Sequence, residues 1–492
     1  MRTLFVTGPG GSGRTTLAAA TALAAARRGS RTLVLSADPV DSLGTALGIR
    51  TGAVATEAEA NLSALRADPA EDFRRELLAL QDRFTGALDL LGAGRLEAEE
   101  LLPLPGAREL SLLRALHTAA VGPRPRGGAP AGTAPGGTAP TGTAPAEAGT
   151  PGEGAGPVSE SVTGSALPYD LLVVDLPPVT EAIGLLALPG QLRRYLARLL
   201  PPERQAARAL RPVLGRLAGV PVPTEALYEA AARWDAELAA VQGLVESADS
   251  RVLLVAEPGP AGAEAVRTAL TGLALHRLDL AGLAANRVLP ENAEGHWAQE
   301  LAAQQRKTLA EWRGGGLRVA RAGEGAAGTG AGSADAGLGA ASAEAGPASV
   351  DAGAGAGSAA PGAGTRSAGA GAAQVPLSEV PHLGRDPQGT DDLAALGQVP
   401  PAGGGPVPEW PVVDRLAADG LLLWRIPLPG AAREELDLVR RGAELVLTAG
   451  SFRRIVPLPS ALRRCRVAGA ALRDSVLELR FAPDPALWPQ EQ

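Results

Sequence analysis

Gly8-Pro9-Gly10-Gly11-Ser12-Gly13-Arg14-Thr15-Thr16 joins a short apolar run, Arg2–Thr7, to an Ala- and Leu-rich stretch, Thr15–Arg28. The apolar run reads as a buried strand, and the second stretch as a helix closed by Gly29 at a C-cap position. Arg31–Ser36 reads as a second buried strand, ending at Asp38-Pro39. Strand, helix and strand within about 30–40 residues make a βαβ unit of a parallel sheet. The loop has the phosphate-loop spacing GxxxxGK(S/T), with Arg14 where lysine is usual. Its glycines let consecutive backbone N–H groups turn toward an anion, and the helix N-terminus adds its positive dipole end. The Thr15 hydroxyl is placed to ligate Mg²⁺. A Gly-rich turn holding no nucleotide is the competing reading; the flanking strand and helix favour the phosphate loop.

Two carboxylates extend this reading. Asp38 ends the second strand, at the carboxyl edge where ligands of doubly wound sheets bind. It suits orienting an attacking water or holding a metal's shell, or else capping a helix that has Pro39 at its first position. Tyr169–Asp175 is a third buried strand, and Asp175 ends it as the metal-side Asp of P-loop ATPases does. Each carboxylate alone also reads as a strand-end turn residue. Three such features on the first three strands of one sheet reinforce one another.

Farther along, a helical pattern runs over 61–121, with Phe73, Leu77, Leu78, Leu80 and Phe84 at near-helical spacing. Others cover 185–215, 224–247, 261–272 and 293–312, and strands are expected at Arg251–Ala256 and within Leu278–Asn286. Residues 123–166, with repeated G-T-A-P, and 320–373, nearly all Ala, Gly and Ser, are low in complexity. Such segments bury too little apolar surface to offset chain entropy, so both are expected to be disordered inserts.

The expected fold is α/β. A mostly parallel, doubly wound P-loop sheet with a helical subdomain is built from 1–122, 167–319 and 374–398, with 399–415 as a linker. Short apolar runs at Leu421–Ile426, Leu436–Val439, Glu444–Thr448, Phe452–Val456 and Val476–Phe481 predict a separate small antiparallel β-sandwich at 416–483.

Composition bounds the rest. The 492 residues carry 46 basic and 53 acidic side chains, a net charge of −7, which argues against sequence-independent nucleic-acid binding. Aromatic residues are only 3% and apolar ones 45%, so the cores must be built from Leu, Val and Ala. The single Cys465 and four histidines exclude a cysteine-built zinc site, a CxxC redox centre and a disulfide scaffold, and suit a cytoplasmic protein. No membrane span is expected, because no apolar run approaches about 18 residues. Gly8–Arg14 interrupts what would be a signal peptide's apolar region. Cys465 reads as a buried or incidental thiol, Trp297 and Trp312 as packing anchors, and Arg193, Arg194, Arg198 and Arg204 as a solvated face.

The chain resembles the ArsA family of ATPases, which includes arsenite-pump ATPases and the targeting ATPases of tail-anchored membrane proteins. The resemblance rests on Gly8–Thr16, Ser36–Leu43, Asp175–Pro178 through Leu185–Pro189, Asn286–Pro290 and Val380–Leu383. It implies ATP and Mg²⁺ as cofactors, bound at the face between two protomers. Gly8, Gly10, Gly11, Ser12, Gly13, Arg14, Thr15 and Thr16 would hold the phosphates, and Thr15 and Asp175 the metal. Asp38 would orient the attacking water, with Arg14 as the catalytic cation; Asn286 would read the adenine and Pro381 lie beside it. Leu421–Phe481 resembles the small-heat-shock-like, or alpha-crystallin-like, domain of bacterial ArsA relatives. In targeting members the Leu-rich helices form a groove for apolar segments; here an ordinary core stripe is the favoured reading.

Departures from the family pattern shape the expectation. Pro9 and Arg14 replace both loop lysines, Val179-Thr180 replaces Thr-Gly in the second switch, and Asp41 replaces a histidine. Losing two lysines removes much of the cation clamp for phosphoryl transfer. The expectation is an ATP-binding switch with weak or impaired hydrolysis, serving a protein client or a peripheral membrane partner. It would act as a homodimer, or as a non-hydrolysing subunit in a heterodimer with an intact-loop paralogue; a chaperone-like interaction module is the third reading.

Overall fold

The computed structural model describes residues 1–83, 97, 100–101, 104–121, 169–200, 225–316, 318–320, 372–396 and 410–487. Its main sheet holds β1 (Arg2–Thr7), β2 (Thr32–Ser36), β3 (Thr56–Glu59), β4 (Leu62–Arg66), β5 (Leu171–Asp175), β6 (Ser250–Ala256) and β7 (Leu280–Val288). After the short β8 (Arg318–Ala320) and β9 (Ala372–Gln374), β10 (Leu377–Pro381) completes it. The order is β10-β7-β6-β1-β5-β2-β4-β3. All neighbours are parallel except the edge pair β3–β4. β1 is therefore central, and its loop opens at the carboxyl edge between the ends of β5 and β6, where ligands of such sheets bind.

Nine helices pack around this sheet: α1 (Arg14–Arg27), α2 (Ser42–Leu47), α3 (Pro69–Arg83), α4 (Ala107–Val121), α5 (Val179–Leu199), α6 (Glu225–Val245), α7 (Pro260–His276), α8 (His296–Glu311) and α9 (Gly389–Leu396), counted among the described residues. Alternate strand residues face opposite ways. Leu4, Val6, Val34, Val173, Leu253 and Val255 join the core under α1, α2 and α9. Phe5, Leu33, Leu35, Leu172, Val174 and Leu254 join the core under α4 to α7. The buried face of α1 is largely alanine, which lets the helix settle close to the strands and accounts for a core poor in aromatics. Leu112, Leu113, Leu116, Leu185 and Leu186 are buried, so this part of the Leu-rich helices is core stripe. No described helix is long and apolar enough to cross a membrane.

The helical reading of 61–121 fails at its start. Leu62–Arg66 is β4, parallel to β2, and Asn61 turns the chain into it with a φ of 65°. Leu62 and Ala64 are buried with a spacing of two, a signal too short to separate from a helix in sequence. Phe84, Arg204 and the low-complexity stretches lie outside the described residues, except that Ala320 and Ala372-Ala373 belong to β8 and β9. Those two strands pair antiparallel, with Arg318 opposite Gln374 and Ala320 opposite Ala372.

The C-terminal part is a sandwich of a four-stranded sheet, β11 (Val412–Arg415), β12 (Leu421–Pro427), β17 (Val476–Pro483) and β16 (Cys465–Arg473), and a three-stranded one, β13 (Leu436–Arg441), β14 (Glu444–Ala449) and β15 (Phe452–Pro457). β11 lies inside the stretch read as linker. β16 leaves only a weak strand signal, because Cys-Arg-Val-Ala-Gly-Ala-Ala-Leu-Arg is mostly small residues, poor in β-branched and aromatic ones and interrupted by Gly469. Cys465 is buried and its thiol donates to the Ala461 carbonyl; burial pushes its pKa up.

The sandwich does not stand apart. Its interior and that of the first unit form one apolar cluster containing Ile183, Leu270 and Leu273 together with Phe452, Leu445 and Leu477. A Cβ added to Gly272 would lie 2.7 Å from both Ile183 and the Phe452 ring, so only glycine lets α7 meet β15 this closely. Polar ties fix the seam: Thr271 Oγ1 donates to the Pro429 carbonyl at 2.8 Å, and Arg267 pairs with Glu435 at 3.2 Å. Arg194 and Arg198, expected to be solvated, take part as well, and Arg193 braces α5 against α6. Arg198 pairs with Glu444 at 2.7 Å, Arg194 donates to the Ile455 carbonyl at 3.2 Å, and Arg193 pairs with Asp235 of α6 at 2.9 Å. Trp312 is an anchor at 4% exposure, whereas Trp297 is 71% exposed and anchors nothing.

His276 ends α7 at this seam. Burial, with the Arg454 charge second, pushes its imidazole from 6.5 down to about 4. Between those values the unfolded chain takes up a proton that the folded chain refuses, so stability falls as pH drops from 6.5 to about 4. Urea melts of the parent should show this loss, and His276→Gln should flatten it. Identical pH profiles would remove His276 as its source.

Candidate functional site

The loop after β1 is shaped by contact and by dihedral angle. A Cβ on Gly8 would sit 1.9 Å from the Val255 carbonyl oxygen of β6. Gly11 and Gly13 take left-handed φ values of 76° and 87°, which favour glycine. Gly13 is the N-cap of α1, and no side chain caps this helix. The first-turn N–H groups therefore look into the hollow of the loop. Ser12 Oγ is buried beneath it without a hydrogen-bond partner, while a Cβ on Gly10 or Gly11 would meet open space. A buried orphan hydroxyl and unfilled room beside bare amides suit a polyanion.

Asp175 lies at the floor, 6% exposed. Thr15 Oγ1 donates to its Oδ2 at 2.8 Å, and Ser36 Oγ donates to the same oxygen at 3.0 Å. Burial pushes the Asp175 carboxyl up to about 6, against the pull of those two hydroxyls and of Arg14. Among the described residues no three His, Cys, Asp or Glu side chains cluster as a metal site. The hydroxyl–carboxylate pair still fits Mg²⁺, which is commonly held by one or two protein oxygens plus phosphates and water.

Arg14 does not point freely into the hollow. Its Nη1 donates to the Leu176 carbonyl at 2.9 Å. Burial lowers its pKa, while Asp175 and Asp38 favour its charge. Thr7 Oγ1 donates to the Pro177 carbonyl at 2.8 Å and the Val179 N–H donates to the Gly8 carbonyl at 3.2 Å. With the Leu176 N–H donating to the Val6 carbonyl at 2.9 Å, four hydrogen bonds among the described residues tie the segment after β5 to the loop and its strand.

Asp38 follows β2 and turns its own loop, accepting from the Val40 N–H at 3.1 Å and from Ser42 Oγ at 3.3 Å. It does not cap α2. That role falls to Asp41, whose Oδ1 accepts from the Gly44 N–H at 2.9 Å and whose Oδ2 accepts from the Thr51 N–H at 3.0 Å. Burial alone would raise the Asp41 carboxyl; the bonds from Thr51 and Gly44 outweigh it and hold the pKa below the usual value. Its charge is thus committed to local structure.

Asn286 is buried in β7 and its Nδ2 donates to the Ser12 carbonyl at 2.7 Å, so it braces the loop and keeps Oδ1 as an acceptor. Pro381 ends the neighbouring β10, opposite Val288, and is exposed. Gly8–Thr16, Asp175 and Asn286 are in direct contact around the loop, Asp38 borders them, and Pro381 lies one strand farther out. Two cations were missed. Arg287 Nη1 reaches the Gly11 carbonyl at 3.1 Å, and Arg108 Nε of α4 reaches the Ala37 carbonyl at 3.2 Å.

The sequence matches known families and proteins. A family model described as "Anion-transporting ATPase" matches residues 1–123 and 159–313, and one described as "HSP20-like domain found in ArsA" matches 419–481. An uncharacterised protein of Streptomyces coelicolor is 53% identical over the full length of both chains. A protein of Mycobacterium tuberculosis is 28% identical over 99% of this chain and 97% of its own. A protein of Chlorobaculum tepidum named "Putative arsenical pump-driving ATPase" is 27% identical over 63% of this chain and 67% of its own.

Proposed function

Because the chain belongs to the ArsA family of ATPases and carries its HSP20-like domain, we propose that it binds Mg·ATP in the loop after β1 and hydrolyses it slowly, as one half of a nucleotide-dependent dimer. The carrying observation is the Thr15–Asp175 pair beneath a glycine cradle whose Ser12 hydroxyl has no partner. The loop amides would hold phosphate oxygens, and Thr15 and Asp175 the ion. Bound Mg²⁺ supplies neutralisation of phosphate charge. Asp38, at the end of β2, would position the attacking water. To reach a phosphate, Arg14 must leave the Leu176 carbonyl, and that release would loosen the segment leading into α5. This exchange would be the switch.

Slow turnover follows from the two replaced lysines. Pro9 offers no cation to a partner's site. Arg14 is planar and hydrogen-bonded elsewhere, unlike an ammonium tucked against phosphates. The same features favour, as a second reading, a subunit that completes the site of an intact-loop paralogue. Arsenite chemistry on thiolates is not part of the proposal, because Cys465 is buried in the sandwich.

Calorimetric titration with Mg·ATP, followed by a turnover assay, tests this. Saturable binding is expected, with residual hydrolysis lost in Asp38→Asn and raised in Arg14→Lys by about tenfold or more, as restoring one transition-state cation implies. No binding at millimolar nucleotide would sink both readings. Turnover that is already fast, and unchanged in Arg14→Lys, would sink the assignment of Arg14 as the brake.

A further inference from the structure

A cavity of about 310 Å³ opens at the seam, between α5, the end of α6, the end of α7 and β15. Three guanidinium groups line it, from Arg194, Arg453 and Arg454, against a single carboxylate, Glu246. Much of their hydrogen-bonding capacity is unspent. Arg194 gives Nη2 to the Ile455 carbonyl and lies 3.6 Å from Glu444, a carboxylate it shares with Arg198, but its Nη1 is buried without a partner. Arg453 stands exposed at the cavity mouth, with no ion-pair partner among the described residues. Arg454 is fixed by the Leu275 carbonyl at 2.7 Å and by the Trp410 ring, 5.3 Å away. Burial depresses its pKa to about 10, the mark of a cation short of water. Glu246 is partly engaged, since Gln242 Nε2 donates to it at 2.9 Å. His276, held neutral by burial, adds a polar ring, and Leu186, Val245 and Leu278 form an apolar wall.

We infer that this seam cavity is a binding site for a small organic anion, with its carboxylate or phosphoryl group on Arg194 and Arg453 and its carbon body on the apolar wall. Guanidinium forks match such oxyanions bidentately. The volume falls at the lower end of the range of about 300–1,000 Å³ for ligand pockets. Three guanidinium charges face only two carboxylates, Glu246 in the lining and Glu444 beside Arg194, so the cluster keeps a positive excess that an anion would offset. The cavity is separate from the phosphate loop: Arg194 lies about 22 Å along α5 from Val179, at the helical rise per residue. The inference stands whether or not ATP binds.

The test is calorimetry on the full chain with citrate and, separately, with 3-phosphoglycerate, so that carboxylate and phosphoryl recognition are read apart. Saturable one-to-one binding of at least one probe is expected. Arg453→Ala and Arg194→Gln should each weaken it about tenfold or more, the size of one charge-assisted hydrogen bond. Arg14→Ala, in the phosphate loop, should leave it unchanged. Arg453 supports no partner, so its variant should melt like the parent. Absence of saturable binding to either probe overturns the inference. So does parental affinity in both seam variants, or loss of binding in Arg14→Ala, which would move the anion to the phosphate loop.

Discussion

Gly8→Ala should melt far below the parent and lose ATP binding, whereas Gly10→Ala should fold normally. The two glycines are neighbours in one loop, but their surroundings differ completely. At Gly8 the new methyl would lie 1.9 Å from the Val255 carbonyl oxygen, while at Gly10 it would meet nothing within 4 Å. Ordinary over-packing costs about 1–3 kcal/mol because side chains can give way. Here the opposing atom is backbone in β6, hydrogen-bonded to β1 on one side and β7 on the other. Relief requires moving a central strand, so the cost should exceed that range and lower the melting temperature by on the order of 10 °C. Thermal melts and Mg·ATP titration of both variants check this. If the Gly8→Ala and Gly10→Ala melts overlay, β6 does not press on the loop as described.

Phe452→Ala should be nearly as costly, and it should destabilise both halves of the chain at once. The ring is 5% exposed and lies against Gly272 of α7. Truncating a buried phenylalanine costs about 3–5 kcal/mol through lost transfer energy and a residual cavity. Because the apolar cluster runs unbroken from Ile183 to Leu477, unfolding should remain a single calorimetric transition shifted to lower temperature. Two separate transitions, with only the weaker one moved, would show that the sandwich unfolds on its own and that the seam carries little energy.

How far the fold could be read in advance depended on the kind of signal each element leaves. β1, β2, β5 and β6 are buried on both faces of a parallel sheet, so each is a continuous apolar run that stands out. The phosphate loop was visible because its glycine spacing is local. Asp38 and Asp41 show the limit. Both are short acids beside a helix start, and which one caps α2 depends on backbone angles that no residue pattern states. Arg108 and Arg287 show another: they reach Ala37 and Gly11 from 71 and 276 residues away, and such pairings leave no periodic trace. The shared core was hidden for the same reason, since Gly272 and Phe452 signify a close contact only once α7 and β15 are brought together.

The β8–β9 ladder has a practical corollary. It places residues 320 and 372 opposite each other, so the polypeptide departs and returns at one spot before β10 joins β7. Whatever length is spliced between those points, the strand carrying Pro381 begins from the same place. Each doubling of such a loop adds only about 0.6 kcal/mol of closure entropy. A fluorescent reporter grafted there should therefore be tolerated, giving an engineer a handle on the chain.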